Sequence, residues 1–206
     1  MENNKLQAKI YVVPVVLIVV LWIILFLPAG TTKFWEAWIF WSGFSIITLF
    51  IAVYFTKKNP EFLSRRTKVK EEKANKKASL FLKIYYIGFI LPGIDFRFHW
   101  SNELVWIVIV SNIIVFFAYI FIFYVFKENS YASTVIQVEN EQLVISSGPY
   151  SIVRHPMYLG MITMSVFIPL ALGSYFSVIP MLLIIPITIL RIKKEEEVIQ
   201  ERSVAA

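Results

Sequence analysis

Residues 10–28 read IYVVPVVLIVVLWIILFLP and contain no charged side chain. A run of this length matches the roughly 20 mostly apolar residues that an α-helix needs to cross a bilayer core of about 30 Å. Only Lys5 and Lys9 precede the run as basic residues, and it lacks the small-residue cleavage site of a secretory signal peptide. The stretch therefore predicts a first membrane-spanning helix.

Further apolar runs follow, separated by charged residues or by Gly and Pro. The second run, Phe34–Phe55, opens with three tryptophans, a residue type that is enriched at membrane–water interfaces. The third run, Ile84–Ile94, is short and approaches a full span only when Leu80–Leu82 are added. The remaining predicted spans are Leu104–Phe126, Met157–Leu172 and Tyr175–Leu190. The chain, taken as a single domain over residues 1–206, is therefore predicted to be an all-α polytopic membrane bundle of about five to six helices. Gly173 and Ser174 separate the last two runs, which are expected to form a helical hairpin.

Composition excludes several classes of protein. The 206 residues are 58% hydrophobic and 17% charged, whereas a soluble domain is roughly 45–50% apolar and about 25% charged. The chain is therefore neither a soluble globular protein nor a disordered one. It has no cysteine, which excludes disulfides, thiolate catalysis and cysteine-ligated zinc, and its 2 histidines predict no metal site.

The net charge of +6 reflects membrane topology rather than nucleic-acid binding, because the basic residues lie between apolar runs. With the N-terminus inside, all but two of the 20 lysines and arginines fall on the inner side, and the two exceptions are Lys33 and Arg97. Basic residues are retained on the cytoplasmic side of a membrane. Both termini are therefore predicted to be cytoplasmic, and we expect a lipid-bilayer environment and no nucleic-acid partner.

A polar interval precedes the fifth predicted span. Residues 134–138 and 142–145 are rich in strand-forming residues and predict a small amphipathic hairpin on the membrane surface. The chain then enters the span through Arg154, His155 and Pro156, and proline suits the first turn of a helix because no partner is lost there. Arg154 at this helix start could hold a carboxylate or phosphate ligand, or it could only anchor to lipid phosphate.

A second group of charges follows the last predicted span. Arg191 and Glu195 are four residues apart and share a helix face, which is also the spacing of an ordinary surface ion pair. Because a hairpin brings the start of one helix and the end of the next to the same face, Arg154 and His155 are expected near Arg191, Glu195 and Glu196. Such a cluster could bind a small zwitterion that carries an ammonium group and a carboxylate.

Three segments together resemble the isoprenylcysteine carboxyl methyltransferase family, particularly its small prokaryotic members. These segments are GPYSIVRHPMYLG at 148–160, PLALGSYF at 169–176 and RIKKEE at 191–196. The likeness extends upstream through LSRRTKVKEE, GIDFRFHWS and KENSYASTVIQV, so that it covers roughly residues 60–200. The resemblance implies an integral membrane, S-adenosylmethionine-dependent methyltransferase of a prokaryotic inner membrane. Its methyl acceptor would be the carboxylate of a prenylated or lipid-like molecule that enters from the bilayer.

The resemblance also implies a set of site residues. The cofactor-binding residues carried over are Arg154, His155, Pro156, Met157, Tyr158, Gly160, Glu195 and Glu196, and the catalytic ones are Arg191 and Arg154. In this interpretation Arg154 or backbone N–H groups hold the methionine carboxylate, a glutamate holds the amino group or the ribose hydroxyls, and Gly160 permits close approach. Arg191 would orient the acceptor carboxylate or support the glutamates.

Two other functions stay open on the sequence alone. Membrane sterol reductases have a related arginine–histidine–proline motif, which suggests an NADPH-dependent reductase as an alternative, and a non-catalytic membrane protein is a third possibility.

Members of the isoprenylcysteine carboxyl methyltransferase family usually continue past the paired glutamates with a tyrosine-containing, basic segment. No such segment follows here, so we do not expect the family's C-terminal contribution to the cofactor pocket, on which activity would depend.

Overall fold

The first apolar run forms helix α1, Glu2–Ala29, in the computed structural model, which describes residues 2–59, 76–102, 104–129 and 146–205. The following elements are α2 (Trp35–Lys58), α3 (Lys76–Phe98), α4 (Val105–Glu128), a 3-10 turn (Gly148–Ser151), α5 (Pro156–Ala171), α6 (Val178–Met181) and α7 (Ile184–Ala205). All regular elements in these ranges are helical, which confirms the predicted all-α bundle.

Three helices with described side chains are long and apolar enough to cross a membrane: Val12–Ala29 within α1, then α2 and α4. Helix α5 is a shorter apolar helix of 16 residues, which at about 1.5 Å per residue is roughly 24 Å long. Helix α3 has 23 residues, so the short third run is the middle of a longer helix. The chain is an integral membrane protein.

The prediction of one continuous helix over Tyr175–Leu190 is wrong. The chain turns at Gly173, whose φ of +67° is strained for any residue with a side chain, and then forms the short helix α6. A break follows at residues 182–183, and α7 begins at Ile184. Pro186 explains the break, because proline has no N–H to donate to the carbonyl of Leu182 and its ring crowds that carbonyl. The second arm of the hairpin therefore consists of two helices, α6 and α7. Helix α7 extends beyond Leu190 to Ala205.

Glycines allow two pairs of helices to approach closely. A Cβ on Gly160 of α5 would lie 2.6 Å from Cγ1 of Ile122 in α4. A Cβ on Gly93 of α3 would lie 2.6 Å from the carbonyl oxygen of Leu25 in α1. Inside a membrane, no water is present to drive the association of helices. Small residues at helix interfaces let the two backbones pack closely there. The contacts of α4 with α5 and of α1 with α3 depend on these positions.

We expect the substitution Gly93→Ala to destabilise the bundle. The added methyl group would meet backbone atoms of α1, which cannot rotate away. Overpacking of this kind costs about 1–3 kcal/mol, and the midpoint of thermal unfolding in detergent should fall by roughly 2–10 °C. Gly43→Ala is the matched control, because a Cβ there meets nothing within 4 Å. Equal midpoints for the two variants would contradict the proposed packing role.

The end of α3 is tied to the hairpin turn by a buried carboxylate. Asp95 is 1% exposed. Its Oδ1 accepts a hydrogen bond from the backbone N–H of Ser101 at 2.7 Å, and its Oδ2 accepts from the hydroxyls of Ser101 at 2.7 Å and Ser174 at 2.5 Å. The Ser174 hydroxyl also lies 2.8 Å from the hydroxyl of Ser177. This polar cluster fixes the end of α5 that is remote from its first residue, Pro156.

Candidate functional site at the start of α5

The start of α5 and the polar part of α7 meet at one end of the bundle. Pro156 is the first residue of α5 and is buried, and His155 immediately precedes it. The imidazole of His155 lies between two carboxylates of α7. Its Nε2 is 3.5 Å from Oε1 of Glu196, and its Nδ1 is 4.0 Å from Oε2 of Glu195. Residues 41 positions apart in the sequence are thus in contact.

Glu195 is held from two further directions. The phenol of Tyr158, a residue that is only 3% exposed, donates a hydrogen bond of 2.5 Å to Oε1 of Glu195. Nε of Arg191 donates to the same oxygen at 3.4 Å, across one turn of α7. The predicted pairing of Arg191 with Glu195 is therefore present, and it forms part of a larger network rather than an isolated surface ion pair.

Glu196 is in a different environment from its neighbour. Its side chain is 55% exposed, compared with 23% for Glu195. Its carboxylate contacts the imidazole of His155. Glu195 is thus part of the contact between α5 and α7, whereas Glu196 is accessible to solvent.

The remaining predicted residues lie around this cluster. Arg154 is exposed and makes no hydrogen bond or ion pair with the part of the chain that the structure describes. Met157 is partly buried. A Cβ on Gly160 would meet the side chain of Ile122, so this glycine serves helix packing, and its role in the approach of a cofactor stays a prediction. The structure therefore brings together His155, Tyr158, Arg191, Glu195 and Glu196 and leaves Arg154 beside them on the surface.

Sequence analysis missed the contacts that hold the segment leading into α5. Nδ2 of Asn129 donates to the hydroxyl of Tyr150 at 3.0 Å, and the hydroxyl of Ser147 donates to the carboxylate of Glu128. Gly148 has a φ of +56° and packs against Glu128, where a Cβ would come within 3.2 Å. The Gly–Pro pair at 148–149 was the available signal for a fixed turn. The predicted surface hairpin at 134–138 and 142–145 lies outside the described residues.

The chemistry of this cluster suits a charged organic ligand. The exposed guanidinium of Arg154 precedes α5, and the exposed carboxylate of Glu196 lies on α7. The two groups carry opposite charges, as the binding of a zwitterion requires. Within the described ranges, no group of three or more His, Asp or Glu side chains is arranged to hold a metal ion.

An apolar groove of about 400 Å³ lies elsewhere, between α2 and α4. Its lining includes Gly43 and Ile47 of α2 and Asn112 and Tyr119 of α4. Tyr119 is nine residues before the end of α4, a distance of about 13 Å along the helix axis. The groove lining includes no residue of the cluster at the start of α5, so the two are separate features.

Comparison with known proteins identifies the region that contains the cluster. The model of the isoprenylcysteine carboxyl methyltransferase (ICMT) family matches residues 107–201. This range includes most of α4, the 3-10 turn, α5 and the polar part of α7. No curated protein and no solved structure matches the chain.

Proposed function

Because the model of the isoprenylcysteine carboxyl methyltransferase family matches residues 107–201, we propose that the chain is a membrane methyltransferase of this family that transfers a methyl group from S-adenosylmethionine to an acceptor carboxylate. The acceptor is a prenylated or lipid-like molecule. One observation carries the proposal: the residues before and within the first turn of α5 contact the paired glutamates of α7. We call the charged region formed by these two helix segments the recess, and we place it at the membrane boundary.

The residues of this recess fit the polar part of the cofactor. The methionine moiety carries an ammonium group and a carboxylate, and the recess offers the exposed carboxylate of Glu196 and the exposed guanidinium of Arg154. A guanidinium binds a carboxylate through two parallel hydrogen bonds. When bound, the cofactor supplies a methyl group on a positively charged sulfur, which is a strong electrophile.

The protein's own task in this reaction is alignment and exclusion of water. A carboxylate acceptor is already a nucleophile, so no side chain has to remove a proton from it. Holding the reactants in line can supply roughly 7–11 kcal/mol of the barrier reduction. Buried Tyr158 holds Glu195 in place, and in this proposal Arg191 orients an acceptor carboxylate while it holds Glu195.

The position of the recess suits an acceptor that is dissolved in the membrane. The recess lies at the first turn of the apolar helix α5, so a lipophilic molecule can approach sideways through the bilayer while the cofactor arrives from water. The distribution of basic residues supports placing this face and both termini on the cytoplasmic side of a prokaryotic inner membrane.

The proposal is tested with the purified chain in lipid nanodiscs. We expect S-adenosylmethionine to bind in titration calorimetry, and we expect labelled methyl from it to appear in base-labile esters of an added membrane extract. Base-labile label indicates a carboxylate acceptor, whereas base-stable label would indicate a different one. Binding of NADPH in place of S-adenosylmethionine would overturn the assignment in favour of a reductase.

The substitution Arg154→Ala should weaken binding of S-adenosylmethionine by about 10-fold or more, because a hydrogen bond to a charged group contributes roughly 1.5–3 kcal/mol. The matched control is Lys33→Ala, which removes an exposed positive charge just before α2, at the end of the bundle where Glu36 lies near Gly173 and not at the end where α5 begins. Calorimetry should show an unchanged affinity for the control. Equal affinities for the Arg154 variant and the wild type would remove Arg154 from the binding site.

A further inference from the structure

We propose that the apolar groove between α2 and α4 binds one acyl chain of a membrane phospholipid, and that the primary ammonium headgroup of this lipid donates to the carboxylate of Glu36. The lipid belongs to the leaflet opposite to the recess. It is a resident of the protein and takes no part in the proposed methyl transfer.

The groove lies toward the end of the bundle that is remote from the recess. Nδ2 of Asn112, a residue of the groove lining, donates a hydrogen bond of 3.0 Å to the carbonyl oxygen of Ala171, the last residue of α5. The recess lies at the first residue of the same helix, and a helix of 16 residues is about 24 Å long. The groove therefore opens in the other leaflet.

The length of the groove matches one leaflet. Its lining covers residues 39–47 of α2 and 109–119 of α4, which correspond to about 12 Å and 15 Å along the two helix axes. Half of a bilayer core of roughly 30 Å is about 15 Å. The rings of Phe44 and Tyr119, with centroids 5.9 Å apart, join the two helices at the inner part of the groove. The groove therefore has the length of an acyl chain that enters from one side.

The volume of the groove favours a single acyl chain over a helix of a second copy. A 15 Å length of α-helix, about 10 Å wide with its side chains, occupies roughly 1,200 Å³. The groove has a volume of about 400 Å³. A neighbouring helix could therefore only lie across its opening, whereas an acyl chain can lie inside it.

The groove is open toward the bilayer. Several of its lining side chains are exposed, and these are Ile39, Ile109, Ile113, Phe116 and Phe117. In a membrane-spanning segment, exposed apolar side chains face lipid tails, which are as apolar as they are. A lipid chain can therefore enter the groove sideways.

A carboxylate lies at the outer end of the groove. Glu36 precedes Ile39 and Phe40 by three and four residues, so it lies one turn from them on the same face of α2. It also lies beside Gly173, in the turn that follows α5. Among the residues that the structure describes, Oε2 of Glu36 is the buried side-chain polar atom that lacks a hydrogen-bond partner.

This carboxylate determines which headgroup fits. A buried acceptor without a partner is costly, and a charged donor is its strongest partner. Glu36 is only partly buried, so rotation about its last side-chain bond can turn either oxygen toward the headgroups. The ammonium of phosphatidylethanolamine supplies positive charge and N–H donors. Phosphatidylcholine has the charge but no N–H, and phosphatidylglycerol is anionic, so the site should prefer phosphatidylethanolamine.

Native mass spectrometry tests the proposal on the full chain in mild detergent, with palmitoyl-oleoyl phosphatidylethanolamine, phosphatidylcholine and phosphatidylglycerol added at equal concentrations. We expect one tightly bound lipid, with phosphatidylethanolamine preferred over phosphatidylcholine by about 5-fold or more, because a charge-assisted hydrogen bond distinguishes them. Glu36→Gln should still bind a lipid but should lose most of this preference. Equal binding of the three lipids by the wild type, or an unchanged preference in Glu36→Gln, would overturn the proposal.

A second variant fills the groove itself. A Cβ on Gly43 would meet nothing within 4 Å, so Gly43→Leu places a side chain in the space of the acyl chain. We expect it to bind phosphatidylethanolamine about 10-fold more weakly, because methylene groups of the chain lose their burial. The matched control is Ile46→Phe, which adds bulk at an exposed position of α2 outside the groove lining. Ile113→Trp narrows the groove from α4 and replaces Gly43→Leu if that variant does not fold. Undiminished lipid binding by a folded, obstructed variant would contradict the proposal.

The obstructed variant also distinguishes other occupants of the groove. Gly43→Leu and the wild type should have the same oligomeric state and the same affinity for S-adenosylmethionine. A dimer that is lost in Gly43→Leu would assign the groove to a second copy of the chain. A loss of methyl transfer with unchanged S-adenosylmethionine affinity would assign it to the methyl acceptor. Either result would refute a resident phospholipid.

Discussion

Replacing Asp95 by alanine is expected to lower the midpoint of thermal unfolding by roughly 6–12 °C, which corresponds to a loss of about 3 kcal/mol or more. The carboxylate is buried and accepts hydrogen bonds from the backbone N–H and hydroxyl of Ser101 and from the hydroxyl of Ser174. Alanine would leave these donors without their acceptor inside the protein. Fluorescence-detected unfolding in detergent measures the effect.

Two further variants show whether the network or a single bond is responsible. Ser101→Ala removes a hydroxyl that donates to Asp95 and accepts from the backbone N–H of Tyr175 but keeps the backbone donor of Ser101, so its loss should be about 1–2 kcal/mol. Asp95→Asn keeps the shape but offers one carbonyl oxygen in place of two acceptor oxygens, and we expect an intermediate midpoint. If Asp95→Ala unfolds at the wild-type temperature, the cluster does not stabilise the hairpin turn.

The substitution His155→Ala is expected to give the largest loss of methyl transfer, on the order of 100-fold at low cofactor concentration, or about 2.7 kcal/mol. The imidazole lies between Glu195 and Glu196, at 4.0 Å and 3.5 Å. Without the imidazole, no group separates the carboxylates of Glu195 and Glu196. The exposed carboxylate would then no longer be held in one direction. Initial rates at varied cofactor concentration measure the effect.

The second histidine provides the control. His99 is exposed at the end of α3 and has a φ of +52°. Asparagine tolerates this left-handed conformation better than most residues, so His99→Asn should keep both the fold and the rate. A comparable loss in the two variants would show that histidine replacement damages the protein in general, and the recess would lose its main support.

Much of the fold was predictable, because a bilayer imposes a length and an apolar character on each helix that crosses it. The runs beginning at Ile10, Phe34 and Leu104 lie in helices of the expected type, and Pro156 begins α5 as its backbone chemistry predicts. The pairing of Arg191 with Glu195 was also predictable, since four-residue spacing on a helix places both side chains on one face.

The break at residues 182–183 was not predicted, although Pro180 and Pro186 stand in the sequence. The hydrophobicity of a run of residues indicates whether the run can lie inside a membrane. It contains no information about the backbone N–H that a proline lacks. The packing role of Gly160 was not predicted for a related reason. A glycine in a ligand-binding motif and a glycine at a helix contact look the same until the opposing side chain, here Ile122, is known.

The sequence by itself determined that this chain is a helical membrane protein, where most of its helices lie and which segments carry its charged residues, because these properties depend on local composition and spacing. Only the tertiary structure decided that Tyr158 binds Glu195, that His155 reaches Glu196 and that Asp95 binds Ser174. Each of these contacts joins segments far apart in the chain, and such contacts depend on how the helices pack against one another.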